Sequence, residues 1–325
     1  VATAAAPALS YAPFLVEEPM AYPLATLALF AIARAGIEPT RWSVVLATGA
    51  CALGVLVRSQ LAVLLPVLAL VLLARASRSN SVRGWRASWS TGDWIGAAVL
   101  ASGVLLACSA AVGHRSVTWY TSTAFFKDRM LEYGLWAAGA LAIGIGVLPL
   151  VAGLAALIRP DGEPSDEGVR VFVTLLAASI AAFGFYTAVK AAYISTQLSI
   201  VIAERNLMYV YPLLFTGTAL VLQRRRVSAL AVGAATAFAL YLVTNTPYSL
   251  ESYPNYEAHG LSIAAFANRI LKWPAETIET TLILLTVGSA TALLVLGWIR
   301  PSRLAGAWVA VLGAVVVAWS LTTEI

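Results

Sequence analysis

The sequence predicts an all-α fold, a polytopic bundle of transmembrane helices with about ten or eleven hydrophobic segments, external loops and short interfacial helices. Three observations lead there. Hydrophobic residues fill 60% of the 325 positions, charged residues only 11%, and mean hydropathy is +0.82. A soluble core of that size carries far more polar surface. The apolar runs recur along the whole chain, and the positive charges fall unevenly on the loops between them.

In chain order, a first apolar stretch covers 1–15, without the charged start or cleavage site of a signal peptide. Ten further segments follow at about 20–35, 42–57, 60–74, 92–113, 133–158, 169–189, 207–222, 227–244, 277–299 and 304–321. Several are shorter than the roughly 20 residues that cross a bilayer comfortably. The pair 42–57 and 60–74 reads as two short spans or as a helical hairpin stopping below the far surface.

Strict alternation of the spans, with 36–40 cytoplasmic, places thirteen Lys and Arg inside and eight outside. The inside loops are short, so this orientation satisfies the positive-inside rule. The formal charge of +5 and pI near 9.3 therefore reflect topology, and no nucleic-acid partner is expected. Cys51 and Cys108 each lie within an apolar run and read as small packing residues.

Polar chemistry gathers on the outside. Glu204-Arg205-Asn206 stands directly ahead of the 207–222 run, where charge is costly unless paired or facing water. As the start of a helix it offers an anion seat, with Asn206 and Tyr209 in reach of sugar hydroxyls or of a neighbouring helix. As a plain anchor, Arg205 snorkels and Glu204 screens it. Arg58-Ser59-Gln60 sits at the tip of the 42–74 hairpin, where an arginine suits a phosphate or a carboxylate. Glu17 and Glu18 precede Pro19, either as helix N-terminal acids or as a catalytic base. Lys127 and Arg129 in one long external loop, and Tyr256, Glu257 and His259 in another, lie among aromatics. That mixture suits sugar recognition or a surface helix, and residues 261–272 have the period of such a helix. No metal site is expected, since His259 has no close histidine partner.

The patterns Ala-Pro-Ala-Leu-Ser-Tyr at 6–11, Glu-Glu-Pro-Met-Ala-Tyr-Pro-Leu at 17–24, Pro-Thr at 39–40, Val-Arg-Ser-Gln at 57–60 and Glu-Arg-Asn-Leu-Met-Tyr-Val-Tyr-Pro-Leu-Leu-Phe at 204–215 carry a resemblance. The chain resembles actinobacterial membrane glycosyltransferases of the C superfamily, which are similar to protein O-mannosyltransferases and the aminoarabinose transferases of lipid A. The resemblance implies one transmembrane glycosyltransferase domain over 1–325 in the bacterial cytoplasmic membrane, working on the extracytoplasmic face. It implies a polyprenyl-phosphate sugar donor, a glycan, lipid or protein acceptor in the cell envelope, and inversion at the anomeric carbon. Arg58 and Arg205 then bind the lipid phosphate, and Glu17 or Glu18 takes the acceptor proton. Gln60, Lys127, Arg129, Glu204, Asn206, Tyr209, Tyr256, Glu257 and His259 contact sugar or acceptor.

In that superfamily the catalytic aspartate lies in the first external loop. This chain is expected to begin several spans later and so to lack it. A divalent cation, where relatives use one, is held by a motif not found in this chain, and no other cofactor is expected. The competing class is a membrane transporter, or a flippase or polymerase of lipid-linked glycans. Transporters and flippases usually show repeated halves with broken helices, and no internal repeat is found in the sequence, whereas nothing in the sequence separates a polymerase from a transferase.

Overall fold

The computed structural model describes residues 18–78, 90–92, 94–95, 117, 119–158, 160, 166–198, 202–224, 227–248, 258–298 and 303–322. Among them every regular element is helical. Among the described residues four helices are long and apolar enough to cross a membrane, or five if one bent pair counts as a single span. That is consistent with a multi-pass membrane protein. The expected first stretch, 1–15, and nearly all of 92–113 lie outside the described residues.

The chain forms two compact units. One comprises 17–121 and 165–186, and begins with α1, Glu18–Ile37. A short turn leads to α2, Arg41–Val57. Thr40 caps α2 reciprocally with Ser43, satisfying two backbone donors at the turn. Arg58 is extended (φ −149°, ψ 115°) and ends α2, after which a 3-10 turn, Ser59–Val63, leads into α3, Leu64–Arg78. Two helices meet at the expected tip, whose Arg58, Gln60 and Leu61 are buried: Leu61 packs under Gly54, where an added Cβ would approach its side chain at 3.3 Å. The first part of α6, Glu167–Leu198, completes this unit. There Glu167 meets Arg75 at 3.3 Å, Arg170 at 3.7 Å and Arg78 at 3.9 Å.

The other unit holds 122–164 and 187–325. Sequence reading treats 133–158 as one span, but it is two helices. α4, Lys127–Ile145, turns by 110° into α5, Val147–Ala155. The bend falls at Gly146, whose φ of +89° is open to glycine at little cost. Trp319 packs against it and donates its indole N–H at 2.8 Å to the Ile143 carbonyl, which also accepts the Gly146 backbone N–H at 3.2 Å.

The expected helix 207–222 is corrected similarly. Two 3-10 turns, Glu204–Asn206 and Met208–Val210, come first, and α7 runs only over Tyr211–Arg224. Pro212 lies in its first turn, where a missing N–H does no harm. α8 (Ala229–Asn245), α9 (Gly260–Arg269), α10 (Ala275–Trp298) and α11 (Arg303–Thr322) follow. α9 fulfils the period read in 261–272: it buries Leu261, Ala264 and Ala265 and exposes Phe266. The core around it joins Ile143, Val147, Ile202, Val243, Ile278 and Leu282.

Candidate functional site

Glu204 is 1% exposed, deep beside the α4–α5 break. Tyr211 donates its hydroxyl to Oε1 at 2.5 Å, and the Gly260 backbone N–H donates to Oε2 at 2.6 Å. One carboxylate thus ties the start of α7 to the start of α9, 56 residues away. Glycine at 144 and at 260 makes room: a Cβ on Gly144 would lie 2.8 Å from Oε1, and one on Gly260 would collide with the Ala140 carbonyl. Burial pushes the Glu204 pKa up to about 7, against the opposing pull of the two hydrogen bonds.

The neighbouring side chains extend this polar cluster. Asn206, fully buried, accepts from the Lys190 ammonium at 3.1 Å and donates to the Ala203 carbonyl at 3.2 Å. Burial, then the charge of Arg205, lowers the His259 pKa to about 4, so its ring is neutral at pH 7. Tyr209 is fully buried in the same stretch. Among the described residues, Lys190 and Arg205 bring positive charge to Asn206 and His259, while burial drives the Glu204 carboxyl toward neutrality.

This differs from the expected arrangement. Glu204, Arg205 and Asn206 do not sit on the first turn of the helix that follows, because that helix begins only at Tyr211, seven positions after Glu204. Nor does Glu204 reach toward a ligand, since Tyr211 and Gly260 hold both its oxygens in the interior.

In the other unit the hairpin tip is polar and closed. Arg58 is 6% exposed, and its backbone N–H donates to the Gly54 carbonyl at 2.8 Å. Snorkelling would leave this guanidinium at the headgroups, so burial favours a polar partner instead. Gln60 is 2% exposed, and neither its amide nitrogen nor its oxygen has a hydrogen-bond partner. Orphaned amide atoms at that depth are rare and costly in a folded protein.

The remaining candidates are scattered. Lys127 and Arg129 form the exposed first turn of α4, with the Arg129 guanidinium 4.8 Å from the centre of the Phe126 ring. Their expected place in a loop gives way to a helix start. Glu18 opens α1, whereas Glu17, Tyr256 and Glu257 lie outside the described residues. Among the described residues no cluster of three or more His, Cys, Asp or Glu could hold a metal ion. Tyr211, Lys190, Gly144 and Gly260 were absent from the expected site. Tyr211 stood within the singled-out stretch 204–215 and Gly260 ended the singled-out stretch 255–260, but nothing local marks either glycine as a neighbour of Glu204. Compared with known proteins, the chain matches no family model, no curated protein and no solved structure.

Proposed function

We propose that this chain is a glycosyltransferase of the C superfamily that moves a sugar from a polyprenyl-phosphate donor to a cell-envelope acceptor on the external face of the membrane. The observation that carries the reading is the hairpin tip, where buried Arg58 stands two residues from an amide with no protein partner. A guanidinium offers a fork of donors to a phosphodiester, and an amide offers both a donor and an acceptor to a sugar. In the transfer, an acceptor hydroxyl oxygen attacks the anomeric carbon and the bond to the donor phosphate breaks. The electron pair leaves with the phosphate, where Arg58 stabilises the growing charge, and a carboxylate takes the hydroxyl proton. Glu17 and Glu18 are the residues proposed for that last role.

The test uses the full-length protein in membrane vesicles with a radiolabelled polyprenyl-phosphate sugar. Label is expected in an envelope acceptor, and Arg58→Ala is expected to lower transfer about a hundredfold, the scale of losing a donor to a developing oxyanion. Arg58→Lys keeps the charge, lacks the bidentate fork, and is expected to fall well below the parent. Equal turnover in parent, Lys and Ala forms would remove Arg58 from the site.

One observation favours a second reading, a transporter or flippase of lipid-linked glycans. The 110° break at Gly146 interrupts an apolar helix pair, and broken helices line binding sites in transporters. Movement of labelled donor across the vesicle membrane without any sugar transfer would select it.

A further inference from the structure

Within the unit that holds α1 and α2, these helices run antiparallel through the capped turn at Thr40 and leave a groove of about 750 Å³ between them. Its lining follows two helical stripes. Leu27, Phe30, Ala31 and Arg34 recur every three or four residues on α1. Trp42, Leu46, Gly49 and Leu53 do so on α2. Small residues at Ala31, Gly49 and Ala50 keep the groove hollow. From Trp42 to Leu53 it is about 16 Å long, at 1.5 Å of rise per residue.

The two ends differ. Leu27 and Leu53 close one end with hydrocarbon, while Arg34, Glu38 and Trp42 meet at the turn. The same end of this unit gathers Arg75, Arg78 and Arg170 around Glu167. Gly36 fixes that level, because an added Cβ there would touch both Val71 of α3 and Val171 of α6. With Arg41, five arginines stand against Glu38, Asp166 and Glu167 at this end. Such a band of arginine with an exposed tryptophan belongs at the lipid headgroups. Arg34 meets Glu38 only at 3.9 Å, with about two-thirds of each side chain exposed, so a better anion can draw its guanidinium away.

We infer that this groove is a binding site for one anionic glycerophospholipid, its acyl chain lying between α1 and α2 and its phosphodiester at Arg34. The volume falls within the roughly 300–1,000 Å³ of ligand pockets. Hydrocarbon is the occupant that the stripes of Leu, Phe and Ala favour, and the excess of arginine selects a negative headgroup. The site stands whether or not the chain transfers a sugar.

The test purifies the full chain from membranes in mild detergent and counts retained phospholipid by native mass spectrometry. Phosphatidylglycerol or phosphatidylcholine is then titrated back in mixed micelles. The parent is expected to hold one phosphatidylglycerol per chain, with about tenfold preference over phosphatidylcholine. Gly49 lines the groove and a Cβ added there meets no protein atom within 4 Å, so Gly49→Leu is chosen to fill it. That variant is expected to retain about tenfold less lipid at an unchanged melting temperature. Arg34→Gln is expected to keep a lipid and lose the headgroup preference. Undiminished lipid in Gly49→Leu, or no preference in the parent, overturns the proposal. Should Gly49→Leu fail to fold, phosphatidylglycerol with a photoactivatable acyl chain must crosslink to residues 41–57 of the parent. Crosslinks confined to other segments overturn it equally.

Discussion

Gln60 shows how a single side chain can carry stability and ligand binding in opposite directions. Its amide is buried without a hydrogen-bond partner, a situation that costs about 1–3 kcal/mol for the desolvated group. Leucine has a similar volume and no polar atom to desolvate. Gln60→Leu is therefore expected to raise the stability of the unliganded chain by about 1–3 kcal/mol while weakening donor binding. Paired measurements of melting temperature and donor affinity check this; a lower melting temperature with normal affinity would make Gln60 an ordinary structural residue. Arg58-Ser59-Gln60 was legible as a polar triplet between apolar runs. Its inward fold was not, because the extended backbone at Arg58 and the close approach of Leu61 to Gly54 leave no local pattern.

At the scale of elements, Glu204 joins α7 to α9, and its titration opposes that of His259. The Glu204 pKa rises on folding from 4.5 to about 7, so the folded chain holds an extra proton across that range. Stability from this source is full below about pH 4.5 and is lost as pH rises through about 7. The His259 pKa falls from 6.5 to about 4, so its contribution is full above pH 6.5 and is lost as pH falls through about 4. Between pH 4.5 and 6.5 the two slopes oppose each other, and the parent's melting temperature is expected to change little. Glu204→Gln leaves the histidine term, so stability should climb with pH up to about 6.5. His259→Asn leaves the glutamate term, so stability should fall as pH approaches 7. Flat profiles in both variants would refute the assignment. The stretch 204–215 announced itself by charge beside an apolar run. Its partner Gly260 could not be read, since a contact across 56 residues depends on the bend at Gly146 and on room at Gly144.

For the whole molecule, hydropathy reads length and order well and geometry poorly. Segments at 42–57, 227–244 and 277–299 fall within about two residues of α2, α8 and α10, because an apolar run bounded by polar turns has few other solutions. The run 133–158 misleads, because one glycine with positive φ bends a continuous apolar stretch without changing its composition. Membrane orientation rests on charge alone. Thirteen of the twenty-one Lys and Arg fall on the side assigned to the cytoplasm, in short loops where the bias acts most strongly. Cysteine labelling tests the assignment, in a parent with Cys51 and Cys108 replaced by alanine. A membrane-impermeant maleimide applied to intact cells is expected to modify Ser252→Cys and to spare Ser79→Cys until the membrane is opened. Modification of Ser79→Cys alone would invert the topology and move the proposed donor site to the cytoplasmic face, which sugar transfer to the envelope exterior does not allow. Labelling of both in intact cells would show that an odd number of the assigned spans between them does not cross, with the broken pair α4–α5 the first to re-examine as a re-entrant loop.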